Sequence, residues 1–90
     1  MKLVSTQQSP SAQDEVLRLR RLVSLAPHDP DLRLDLATKL LDCWLADDAV
    51  QEIRTVISMV PNHLEARKLL ARAQAVQYRR STNLHRRGRG

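Results

Sequence analysis

The residue types that could carry chemistry are few in this sequence and stand far apart. The single cysteine, Cys43, has no histidine at a spacing that suggests a nucleophile and base, so a buried, apolar role fits it better. Asp29, Asp47 and Asp48 precede apolar helical segments, where a carboxylate favours the start of a helix. The histidines occur singly: His28, His63 and His85. We therefore expect no catalytic set, no metal site, no cofactor and no enzymatic activity.

The composition of the chain narrows the possible fold classes. The two glycines, Gly88 and Gly90, lie at the C-terminus, which excludes a glycine-rich phosphate loop and the glycine-dependent turns of a β-barrel. Ninety residues allow one small domain, with a core of Leu, Val, Ile and Ala because only Trp44 and Tyr78 are aromatic. One cysteine cannot form an internal disulfide, and neither a signal peptide nor a membrane span is evident. We expect a cytoplasmic protein.

The net charge of +5 is concentrated at one end of the chain. Residues 1–78 carry ten basic and ten acidic residues, so the folded part is expected to be neutral. The excess comes from five arginines in an acid-free tail: Arg79, Arg80, Arg86, Arg87 and Arg89. These arginines could neutralise the phosphates of a nucleic acid or of lipid head groups. Because no aromatic residues are interleaved, we favour a solvated, disordered terminus that aids solubility.

The elements that would position these residues are helical. Residues 1–10 show no period and are predicted to be disordered. Apolar residues then recur every three or four positions, which predicts a first helix over 11–25 that Pro27 ends. Asp29 with Pro30 begins a second helix, because the carboxylate caps free amides and proline suits the first helical position.

Two further helices follow. Asp47 and Asp48 begin a third helix that Pro61 ends. Asn62 and Glu65 resemble a capping box that begins a fourth helix, which should fade near Arg80, where Ser, Thr and Asn follow. Loops this short join antiparallel neighbours. We therefore predict an all-α fold of four antiparallel helices in two hairpins over residues 11–80, followed by a disordered arginine-rich tail, 81–90.

The decisive pattern is an internal repeat. Residues 19–37, LRRLVSLAPHDPDLRLDLA, align with residues 53–71, IRTVISMVPNHLEARKLLA, at an offset of 34. Apolar, proline and small positions match together. The small members, Ala37 and Ala71, are expected at helix crossings, where a larger side chain would strain the packing.

A 34-residue period of two helices closed by a proline resembles the tetratricopeptide repeat. The complete unit, 30–63, has Leu36 and Ala37 at the Leu-Gly pair of that family and Pro61 at its terminal proline. Two features depart from the family pattern. Arginines, Arg33 and Arg67, replace an early large residue, and Trp44 stands at a usual turn glycine.

The resemblance implies a module that binds a segment of another protein in a groove lined by the first helix of each pair. That groove is expected to hold an apolar strip beside two cations, suited to an amphipathic segment with an acidic edge. Its residues would be Asp31, Leu34, Thr38, Leu41, Lys68, Arg72, Ala75 and Val76. The alternative interpretation is that Leu34 and Leu41 pack inside a compact bundle. Within the family, a small adaptor or chaperone is the expectation.

Trp44 and the two outer helices of the repeat indicate how this chain could contact a partner. Trp44 could anchor an interface or cover the end of its own hairpin, and we favour the second. One repeat with two flanking halves lacks neighbours on both sides, and a strip of Leu34, Leu41 and Val76 has no evident internal cover. We therefore expect a homodimer or an obligate complex with another protein. Nucleic-acid binding through the tail is the alternative function, and no small-molecule substrate is expected.

Overall fold

The computed structural model describes residues 11–89, which form four α-helices and no strand. The helices are α1 (Ala12–Leu25), α2 (Pro30–Asp42), α3 (Ala46–Met59) and α4 (Leu64–Arg89). The loops between them have three or four residues, so consecutive packed helices form antiparallel hairpins. The predicted all-α class is confirmed. The predicted disordered lead-in, 1–10, lies outside the described residues, as does Gly90.

The start of α2 is the one that the sequence predicted. A carboxylate oxygen of Asp29 accepts hydrogen bonds from the amides of Asp31, at 3.0 Å, and Leu32, at 3.2 Å, while Pro30 takes the first helical position. Ser11 caps α1 in the same manner, accepting from the Asp14 amide at 3.1 Å. These bonds satisfy amides that have no partner inside the helix.

The cap of α4 is one residue later than predicted. His63, not Asn62, precedes the first helical residue, and its Nδ1 accepts from the Ala66 amide at 3.2 Å. The predicted capping box of Asn62 and Glu65 is therefore wrong. The turn after Pro61 closes with the His63 amide donating to the Val60 carbonyl at 3.0 Å, which places His63 at the helix start.

The end of α4 also differs from the prediction. The helix does not fade near Arg80 but continues to Arg89. Ser, Thr and Asn at 81–83 each lower helix propensity by only about 0.5 kcal/mol, and no proline follows Pro61 to end the helix. Gln77 donates to Asp47, in the first turn of α3, at 2.6 Å. The segment after Gln77 therefore extends past the end of the α3–α4 hairpin.

The 34-residue repeat is visible in the hydrogen bonds of the two loops that contain proline. Before α2, the Arg33 side chain donates from Nε to the Pro27 carbonyl at 2.9 Å, and before α4 Arg67 donates from Nε to the Pro61 carbonyl at 3.0 Å. The amide of Asp29 bonds the Ala26 carbonyl just as that of His63 bonds Val60. The two arginines that depart from the family pattern thus fix equivalent loops.

The core lies between the helices and is aliphatic. α2 packs against α1, α3 and α4, and α4 packs against α3 and, to a smaller extent, α2. The largest fully buried side chains are Leu36, Leu40, Ile53 and Val56. Alanines at close helix contacts have no exposed surface: Ala37, Ala46, Ala49, Ala66 and Ala73. Central α2 therefore supplies much of the core.

Candidate interaction surfaces

An open groove of about 300 Å³ lies between α2 and α4. The repeat places the first helix of each pair side by side, and both helices contribute equally spaced side chains to the groove. Its lining combines aliphatic, hydroxyl and charged groups: Leu34, Asp35, Thr38, Glu65, Lys68, Leu69 and Arg72. Leu34 belongs to the core, and Leu69 is half-buried against the core. The groove therefore has a narrow apolar floor and a polar rim.

The rim carries both signs of charge. Lys68 and Arg72 follow one another on α4, and Asp35 and Glu65 also border the groove. Between side chains that the structure describes, no ion pair involves these four residues. Thr38 is exposed and its hydroxyl donates to the Leu34 carbonyl at 3.0 Å, which leaves the oxygen free to accept. The groove thus offers donors and acceptors around a small apolar surface.

The structure brings together four of the predicted groove residues: Leu34, Thr38, Lys68 and Arg72. Asp31 is exposed in the first turn of α2 and lies outside the groove lining. Ala75 is exposed and also lies outside the lining.

The prediction that Leu34, Leu41 and Val76 form an uncovered apolar strip is wrong. Leu34 and Leu41 are each only 8% exposed, and Val76 is half-buried against the same core. Helical periodicity shows which residues share a side of a helix, but it does not show which neighbouring helix covers them. Packing of α2 and α4 against each other and against α3 encloses the strip.

The sequence argument missed the acidic part of the groove. Asp35 and Glu65 border the groove, but they stand next to the apolar positions Leu34 and Leu64, and helical periodicity indicates apolar positions only. The repeat contained a usable signal, because Asp31 aligns with Glu65 at the offset of 34, and Asp35 is one turn further along α2.

Trp44 is exposed, contrary to the favoured prediction that it covers its hairpin. Its side chain retains 65% of its accessible surface, and its backbone has φ of 62°, in the left-handed region that favours glycine. A bulky residue in this conformation costs about 1–2 kcal/mol. A large apolar ring that is exposed, on a backbone with positive φ, contributes little to folding, so Trp44 does not cover the hairpin.

A second hollow, of about 320 Å³, lies beside the residues that flank Trp44. Its lining is mainly apolar: Gln13, Val16, Leu17, Arg20, Cys43 and Leu45. Leu17 is 63% exposed, and Cys43 is half-buried as a free thiol. The end of the α1–α2 hairpin therefore presents exposed apolar surface.

The predicted basic tail belongs to α4. Arg79 and Arg80 are exposed, and the helix continues through Arg86, Arg87 and Arg89 without an acidic residue after Glu65. Within residues 11–89, no helix is both long and apolar enough to cross a membrane. His, Cys, Asp and Glu side chains in the described part of the chain form no group of three suited to a metal ion.

Comparison with known proteins gives no further guide: no family model, curated protein or solved structure matches this chain significantly.

Proposed function

We propose that this chain is a protein–protein interaction module whose α2–α4 groove holds a segment of a partner protein. The observation that carries the proposal is the composition of the groove, in which an apolar floor is bordered by four charged side chains without ion pairs among the described residues. Such a surface suits an amphipathic segment that places apolar side chains on Leu34 and Leu69 and an acidic edge beside Lys68 and Arg72.

The resemblance to tetratricopeptide repeats supports this proposal. The 34-residue period recurs in the sequence and in the bonds of both proline loops, from Arg33 to Pro27 and from Arg67 to Pro61. In that family the first helices of successive pairs line the peptide groove, and here these helices are α2 and α4. A small adaptor or chaperone without catalysis is the function that this arrangement supports best.

Exposed apolar side chains support assembly with a partner or with a second copy. Large apolar residues that remain exposed are Leu17, Leu25, Trp44, Leu45, Val60, Leu64 and Tyr78. Exposed apolar groups are common singly, but the cluster beside Trp44 adjoins a hollow of about 320 Å³.

Site-specific photocrosslinking tests the groove. A photoreactive amino acid replaces Thr38, on the groove rim, or Arg54, an exposed residue of α3 outside the described hollows, as the matched control. In the producing organism, Thr38 should yield a discrete protein adduct that the control does not yield. The double variant Lys68→Glu and Arg72→Glu should reduce the yield of this adduct. The thermal melting curve of the variant protein should stay unchanged. Identical adducts at both positions would refute the groove.

A second candidate function is binding to nucleic acid or to an anionic surface through α4. The observation that favours it is a continuous helix through Arg89 with no acid after Glu65. Binding of this kind weakens with a slope of about 0.9 log units per neutralised phosphate for each tenfold rise in salt. If the arginines carry the function, removing residues 81–90 should abolish a salt-sensitive complex, whereas the Lys68 and Arg72 double variant should retain much of it.

A further inference from the structure

A second surface of α4, away from the groove, is the counterpart of a buried surface of α2. At the offset of 34, four residues along one side of α2 correspond to four residues along one side of α4, with two-turn spacing in both. The α2 set is Arg33, Leu36, Ala37 and Leu40. The α4 set, called here the outer face, is Arg67, Leu70, Ala71 and Gln74.

The two sets differ sharply in burial. Ala37 and Leu40 are fully buried, and Leu36 is 1% exposed, whereas Ala71 and Gln74 are exposed and Leu70 is only half-buried against the core. Neighbouring helices explain the difference. Central α2 packs against α1 and α3, while α4 packs against α3, which corresponds to α1 in the repeat. Within residues 11–89, the outer face therefore lacks the counterpart of α3.

An ion pair shows what α3 provides to α2. Arg33 donates from a terminal guanidinium nitrogen to Glu52 of α3 at 2.8 Å, with side chains that are 18% and 19% exposed. Arg67 is held by the Pro61 carbonyl as Arg33 is held by that of Pro27, but the described residues give it no carboxylate. Arg67 is thus exposed in the orientation in which its counterpart binds a glutamate.

We infer that the outer face binds an amphipathic helix of another protein that carries the residue pattern of α3. In α3 the pattern is a small residue, then a glutamate three positions later and a large aliphatic residue directly after it, at Ala49, Glu52 and Ile53. The small residue permits close approach to Ala71, and the glutamate pairs with Arg67. The charge of Arg67 selects the occupant, because a helix with a cation at this position is repelled.

A second copy of this chain is a poor occupant of the outer face. Its α1 is the only other helix with the repeat position of α3, but Arg18 and Glu15 of α1 stand where α3 has Glu52 and Ala49. Docked in the same register, α1 would place Arg18 beside Arg67 and a long acidic side chain where the contact requires a small one. The pattern therefore favours a different protein as the partner.

A synthetic peptide with the sequence of α3, residues 46–59, is the probe for this surface. The fluorescent peptide is titrated with the full chain, and binding is followed by anisotropy. We expect saturable binding that falls about tenfold with Arg67→Glu and is restored when the peptide carries Glu52→Arg. Ala71→Arg, at an exposed position, should weaken binding without altering the circular dichroism spectrum. Arg21→Glu, the same charge change on exposed α1, should leave the affinity unchanged.

Three results would overturn the inference. The first is absence of saturable peptide binding. The second is peptide binding that Arg67→Glu and Ala71→Arg leave intact, which would mean that the peptide displaces the chain's own α3. The third is self-association in sedimentation equilibrium that Arg67→Glu removes while the peptide does not bind, which would assign the outer face to a second copy. None of these results bears on crosslinking from Thr38, so the groove and the outer face fail or stand separately.

Discussion

Two alanines at equivalent repeat positions should differ strongly in their response to the same substitution. Ala37 has no exposed surface and lies on the side of α2 that holds the Arg33–Glu52 pair, whereas Ala71 is exposed on α4. Ala37→Leu forces three extra carbon atoms into a closed helix contact, which costs about 1–3 kcal/mol. Ala71→Leu adds the same atoms in solvent, and helix propensity differs by only a few tenths of a kcal/mol, about 0.2.

Urea unfolding and thermal unfolding, both followed by circular dichroism, measure these effects. A chain of this size has a total stability of about 5–13 kcal/mol, so Ala37→Leu should remove a substantial fraction and lower Tm by about 4–24 °C. Ala71→Leu should shift Tm by less than about 3 °C. The sequence alone predicted damage at both positions. Equal losses, or a larger loss at Ala71, would refute the claim that α4 lacks the neighbour that α2 has.

Three further predictions concern the turn, the ion pair and the cap. Trp44→Gly should be more stable than Trp44→Ala by about 1 kcal/mol in urea unfolding, because both remove the ring but only glycine relieves the positive φ; the reverse order would contradict the strain. Arg33→Gln should lower stability by about 1–3 kcal/mol and Arg67→Gln by about 1 kcal/mol or less, since only Arg33 has a half-buried carboxylate partner. Similar losses for the two variants would contradict a stabilising role of the Arg33–Glu52 pair. Asp29→Ala should cost about 1 kcal/mol through two amides of α2, and an unchanged thermal melt would show that the cap is unimportant.

Local signals in the sequence predicted the helices and the start of α2 well. Asp29 accepts hydrogen bonds from two nearby amides, and Pro30 fixes its own φ at a helical value. Both effects act within a few residues and do not depend on the rest of the fold. The start of α4 has weaker local signals, because Asn62 and His63 can both accept from free amides. The loop bond from His63 to Val60 decides between them, and that bond depends on the backbone path after Pro61.

Burial was harder to predict because it depends on the number of neighbouring helices. The spacing of Leu34 and Leu41 along α2 fits an exposed apolar strip as well as it fits a buried core. Both residues are buried in the packed helices, in which α4 contacts α2 and α3. Four of the seven residues that line the groove could be predicted, because Leu34, Thr38, Lys68 and Arg72 follow from the repeat register. The acids that border the same groove, Asp35 and Glu65, were missed, although the alignment of Asp31 with Glu65 at the offset of 34 gave a signal for one of them.

The repeat is therefore most informative where its two copies differ. Pro27 and Pro61 end equivalent helices with the same backbone bonds, so differences between α2 and α4 arise from their neighbours rather than from local geometry. Arg33 and Glu52 form a partly buried ion pair, while the equivalent guanidinium at Arg67 stays exposed. Lys68, one position later, borders the groove on another side of α4, because successive helical residues are separated by about 100°. A single helix thus presents two chemically distinct surfaces, one for each of the two proposed partner contacts.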